Sequence, residues 1–93
     1  MSYTLIFTDS YLKRARRFAK RHPELKEPYR KTLNLLAHNP YHPSLRPHPL
    51  QGKLAALHSV SINLSYRITL EMIISDTEIT LVNVGSHDDI YLT

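Results

Sequence analysis

From Val60 to Met72 every even-numbered position is apolar: Val60, Ile62, Leu64, Tyr66, Ile68, Leu70 and Met72. Every odd-numbered position from Ser61 to Glu71 is polar. Successive side chains on a strand point to opposite faces, so this pattern demands a pair of half-buried β-strands. A helix over the same residues would spread its apolar groups around the whole circumference. The odd positions, Ser61, Asn63, Ser65, Arg67, Thr69 and Glu71, then make a polar face with one cation on it. The turn falls on Asn63, Leu64 and Ser65. A two-residue loop would put Ile62 and Ser65 on one face, whereas a three-residue or bulged turn pairs Ile62 with Tyr66 and keeps both strands in phase.

The flanking sequence supplies two helices and two more strands. Residues 3–7 are a short β-prone run, and Thr8, Asp9 and Ser10 offer oxygens for a helix N-cap. Tyr11 to Arg21 carries Leu12, Ala15, Phe18 and Ala19 at helical spacing. Its other side is Lys13, Arg14, Arg16, Arg17, Lys20 and Arg21. His22-Pro23 ends this helix, and Leu25, Tyr29, Leu33 and Leu36 mark a second. Pro28 falls inside this pattern. Proline is tolerated in a first turn but costs about 3 kcal/mol in a helix interior, so the regular helix is expected to run from Glu27 or Pro28 to His38, or to kink at Pro28. Asn39-Pro40 stops it. Residues 39–53 hold four prolines and read as a stiff, exposed loop. Ser75-Asp76-Thr77 is a turn. Glu78 to Val84 is a strand with apolar residues on both faces, hence internal, and Gly85 ends it. The order β-α-α-β-β-β over residues 1–93 describes a single α+β domain. Two antiparallel helices pack on one face of a small, mainly antiparallel four-stranded sheet.

Charge is unevenly divided. Residues 1–53 carry eleven Lys/Arg against three Asp/Glu, whereas residues 54–93 carry Arg67 alone against five Asp/Glu. The basic half reads as a surface for an anionic partner such as nucleic acid. The chain has no cysteine, which excludes disulfides, thiolate zinc sites and a cysteine nucleophile. It begins without a basic stretch leading into an apolar core, and no apolar run is long enough to span a bilayer. A cytoplasmic protein that neither enters nor contacts a membrane is expected.

Three segments carry a family resemblance. His48-Pro49-Leu50-Gln51-Gly52 precedes the hairpin, Ser65-Tyr66-Arg67-Ile68 opens its second strand, and Val84-Gly85-Ser86-His87-Asp88-Asp89-Ile90-Tyr91 closes the chain. Each is short. In this order and on these elements they resemble the RelE/ParE superfamily of bacterial type II toxins, closest to its YafQ-like branch. The resemblance covers essentially the whole chain. It implies a toxin held inactive by a cognate antitoxin and acting as a ribosome-dependent mRNA endoribonuclease. It also implies contact with operator DNA through the antitoxin. The ParE branch has the same fold but poisons DNA gyrase, and a non-catalytic member that only binds antitoxin is a third alternative.

RNA cleavage by 2′-OH attack needs a base, an acid and cations on the scissile phosphate, with no cofactor or metal. Histidine titrates in the right range, and arginine binds phosphate through a planar fork. His48, Arg67, His87 and Tyr91 are therefore the candidate catalytic residues. Arg67 holds phosphate, His48 and His87 share the proton transfers, and Tyr91 positions RNA. Lys13, Arg14, Arg16, Arg17, Lys20, Arg46 and Lys53 are the candidate RNA-binding residues. His58 has no assigned role, and His22, His38 and His42 read as structural. The sequence departs from the family pattern at Ser59, Ser61 and Ser65, where active members carry ionisable groups.

Overall fold

In a computed structural model, which describes residues 2–49, 57–63 and 68–86, the first strand, β1, is Thr4–Phe7 and the first helix, α1, is Asp9–Arg21. The expected cap falls on Thr8, whose Oγ1 accepts the Tyr11 N–H at 3.2 Å. A 3-10 turn at Pro23–Leu25 leads into α2, Lys26–His38. Pro28 stands in the first turn of α2, where a missing N–H costs nothing. Its carbonyl accepts the Thr32 hydroxyl at 2.8 Å. Asn39 is extended ahead of Pro40 and caps the helix by donating to the Leu35 carbonyl.

The strands are β2, His48–Pro49, β3, Leu57–Asn63, β4, Ile68–Ser75, and β5, Glu78–Ser86. They lie in the order β1-β5-β4-β3-β2. Among the described residues only the β1–β5 pair is parallel. The four expected strands make up the sheet, and two-residue β2 extends its edge. Residues 39–49 are thus not the free loop that four prolines suggest. Pro40 and Leu45 are buried, Pro43–Leu45 form a 3-10 turn, and His48-Pro49 pair with β3. Proline fits there because an edge strand needs no donor on its outer side.

The hairpin register also differs from expectation. Pairing Ile62 with Tyr66 would set Val60 opposite Ile68, but Val60 faces Leu70. Tyr66 itself lies outside the described residues, as does the turn at Leu64 and Ser65. The bulge sits within β3, between Ser61 and Asn63. In-phase pairing is kept below it, so apolar positions still face apolar positions. β5 runs two residues beyond Val84, to Ser86, and is internal as expected.

Two features of β5 shape the rest of the molecule. Glu71 faces Asn83 and Met72 faces Leu81, so Val82 is an extra, bulged residue. In addition, β1 pairs with Glu78–Leu81 only. Among the described residues no strand lies beside Val82–Gly85 on that side.

Both helices cover the same sheet face. Tyr11, Phe18, Leu25 and Leu36 pack with Val60, Ile68, Leu70, Met72, Ile79, Leu81 and Val84 in one core. The Tyr11 and Tyr29 hydroxyls share a hydrogen bond between the helices. Burial, more than any other effect, raises the pKa of both phenols. Among the described residues no helix is long and apolar enough to cross a membrane.

Candidate functional site

Register partners on neighbouring strands share a face, so the ladders define a transverse row. His48 faces Ser59, Ser59 faces Glu71, and Glu71 faces Asn83. At one strand spacing per step the row spans about 14 Å. A second row on the same face is Ser61, Thr69 and Gly85. This is the polar face read from the alternation, but its centre is not open to water as that reading implied. Ser59 and Glu71 are each only 6 % exposed. The Thr69 hydroxyl oxygen is buried and has no hydrogen-bond partner among the described residues.

Glu71 is the ionisable group that sequence reasoning passed over. Burial raises its carboxyl pKa, while a hydrogen bond with Asn83 and the charge of Arg14 pull it the other way. A carboxyl of this kind keeps its proton to higher pH than usual and can then donate a hydrogen bond. The sign for stability follows. As pH rises above the ordinary carboxyl value of 4.5, the unfolded chain releases this proton first, so folding loses stability. We expect Glu71→Gln to remove that loss. Its stability relative to the parent should be greater at pH 7 than at pH 4 in urea titrations, and a difference independent of pH would refute it.

The basic residues separate into groups that the sequence does not distinguish. Arg14, Arg17 and Arg21 line a cleft of about 410 Å³ between α1 and the Val82–Gly85 half of β5. Lys13, Arg16 and Lys20 are exposed but do not border it among the described residues. Arg14 Nη1 donates to the Val82 carbonyl at 3.1 Å. That acceptor is at the bulge, so the guanidinium satisfies an edge carbonyl left without a strand partner. Arg46 is exposed on the far side of the 3-10 turn, with a left-handed φ of 50°.

His48 occupies β2, at the end of the polar row. Lys53, Arg67, His87 and Tyr91 lie outside the described residues. Ile68, which follows Arg67 in the sequence, is the register partner of Ser86, which precedes His87. His58 faces Met72 on the opposite face from the row, with its Nδ1 buried and unpartnered among the described residues. Its ring meets that of Tyr41 edge-on at 6.4 Å. His38 and His42 border a separate hollow with Tyr3 and Asn39.

No protein-family model matches the sequence, and no curated protein matches it either. Solved structures do. The chain is similar to YafQ in the Escherichia coli DinJ–YafQ toxin–antitoxin complex, with 19 % identity, 98 % of this chain and 99 % of that one covered, and a TM-score of 0.78. A YoeB/ParE toxin from Agrobacterium tumefaciens gives 16 % identity, coverage of 90 % and 98 %, and a TM-score of 0.74. The heterotetrameric YoeB–YefM toxin–antitoxin complex from Staphylococcus aureus gives 16 % identity, coverage of 94 % and 99 %, and a TM-score of 0.71. The resemblance carried by three short motifs is therefore matched by the backbone, and this chain has, over nearly its whole length, the fold of the YafQ and YoeB/ParE toxins.

Proposed function

We propose that this protein is the toxin of a type II toxin–antitoxin pair and that it cleaves mRNA on the ribosome. The observation that carries the reading is the fold, shared end to end with toxins solved in complex with their antitoxins. Its partners are a cognate antitoxin, the ribosome with its mRNA, and operator DNA reached through the antitoxin. The chemistry is attack of the 2′-OH on the adjacent phosphorus, which forms a cyclic phosphate and expels the 5′-oxygen of the next nucleotide. One histidine takes the 2′-OH proton and the other protonates the leaving oxygen, with His48 and His87 sharing these steps. Arg67 neutralises the charge that grows on the phosphate, and Tyr91 holds the RNA in register. Support for joining Arg67 and His87 in one site is the pairing of their neighbours, Ile68 with Ser86. Support for His48 is its position at the end of the row that contains Glu71.

Induced expression without an antitoxin is expected to arrest translation and to leave mRNA cut within ribosome-protected segments, mapped by primer extension. Intact mRNA together with inhibited DNA supercoiling would replace this reading with gyrase poisoning. Growth without arrest would leave only antitoxin binding.

A further inference from the structure

We propose that the cleft between α1 and the open edge of β5 is a phosphate-binding subsite for single-stranded RNA, separate from the site of cleavage. The proposal rests on the RNA-cleaving function above. It begins with three guanidinium groups on one side of a helix. Arg14, Arg17 and Arg21 follow each other at three and four residues, so they stack along one face over about 10 Å. No acidic residue lines the cleft among the described residues, and the nearby carboxylate of Glu24 meets its rim at His22 Nδ1, 3.5 Å away. Covering the edge of β5 does not need three guanidinium groups. Among the described residues Arg14 alone meets the Val82 carbonyl there. Arg17 has no ion-pair partner among the described residues.

The opposite wall suits a phosphodiester. Asn83 and Gly85 belong to β5 where β1 has already ended and both border the cleft; Gly85 is buried, and half-buried Asn83 supplies the polar group within reach. Gly85 has no side chain to hold a ligand away from the strand. His22 adds a ring at the end of α1, 5.2 Å from that of Phe18. Being partly exposed, it offers a face on which a base can stack. A volume of about 410 Å³ is at the scale of a single small ligand rather than a long peptide. Arginine forks bind phosphate and carboxylate alike, so what favours RNA over an acidic protein segment is the partly exposed face of His22 beside them, which a base can cover and an acidic side chain cannot.

Asn83 links this cleft to the polar row. It borders the cleft, it shares a hydrogen bond with Glu71, and its own Oδ1 accepts the Val84 N–H at 2.9 Å. RNA seated on the arginines would therefore continue toward the row that ends at His48. The subsite would hold a phosphate next to the one being cleaved and fix the strand's register.

The test uses a short RNA oligonucleotide methylated at every 2′-hydroxyl, which cannot be cut by 2′-OH attack. Binding is then read apart from cleavage, and failure of either claim is visible by itself. Fluorescence titration should show affinity falling roughly tenfold in Arg17→Ala. The slope of log K against log salt should drop by about 0.7, one phosphate contact on a single strand. Lys31→Ala, which removes an exposed charge on α2, should leave both nearly unchanged. In NMR titrations the Gly85 amide and the Asn83 side-chain amide should move at the lowest RNA concentrations. Equal losses in Arg17→Ala and Lys31→Ala, or shifts confined to Lys13, Arg16 and Lys20, would overturn the proposal. So would an acidic peptide that displaces the RNA from Gly85 with equal affinity. Binding that survives while unmodified mRNA stays uncut would support the subsite and reject the nuclease.

Discussion

Alanine in place of His87 is expected to slow mRNA cleavage by about 10²–10⁴-fold, the loss of one general acid or base. Arg67→Ala should cost about 10²–10³-fold, because developing charge on the phosphate loses a positioned cation. Arg67→Lys tells geometry from charge. Lysine restores the charge but not the two-pronged fork, so it should recover only part of the rate. Each variant is assayed by its cleavage rate on ribosome-bound mRNA and by growth after induction. The two effects should not add when the variants are combined, since both act on one transition state. Full cleavage by both single variants would remove them from the mechanism and leave the fold match without a catalytic reading.

Leu70→Ala is expected to be the most damaging of the simple core truncations. Leu70 is fully buried on β4, with Val60 on one side and Val84 on the other. Removing a buried leucine side chain costs about 2–5 kcal/mol, because the cavity only partly closes. For a domain of this size a loss near 3 kcal/mol lowers Tm by about 12–24 °C. Calorimetry with the parent alongside measures it directly. A change below 1 kcal/mol would mean that the sheet centre repacks around the void.

The parts of the fold that were legible depend on local periodicity. Thr8, Leu12, Ala15 and Phe18 define α1 from its cap to its buried stripe, and the alternation from Val60 to Met72 defines β3 and β4. The parts that were not legible depend on distant contacts. Nothing local to Pro40 or Leu45 says that they are buried; Leu45 joins the core with residues of β3, β4 and β5 that follow it in the chain. Period-2 reasoning sends Glu71 outward, and register does put it on the polar face, but burial there is a matter of what covers that face. The cleft follows from where β1 stops relative to β5 and from the Val82 bulge, neither of which leaves a mark in composition. Of the proposed site, the residue types were legible, whereas the row from His48 through Ser59 and Glu71 to Asn83 required the registers of four strands.

The parallel pairing of β1 with β5 also bears on how the protein is made. Thr4 finds its partner in Glu78, so β1 waits for a strand that lies beyond both helices and the β3–β4 hairpin. Contacts this distant along a chain form slowly, because a large loop must close before they repay its entropy. While the chain is still emerging from the ribosome, α1 and α2 can form, but β1 has no edge to join. The sheet closes only once β5 has left the ribosome.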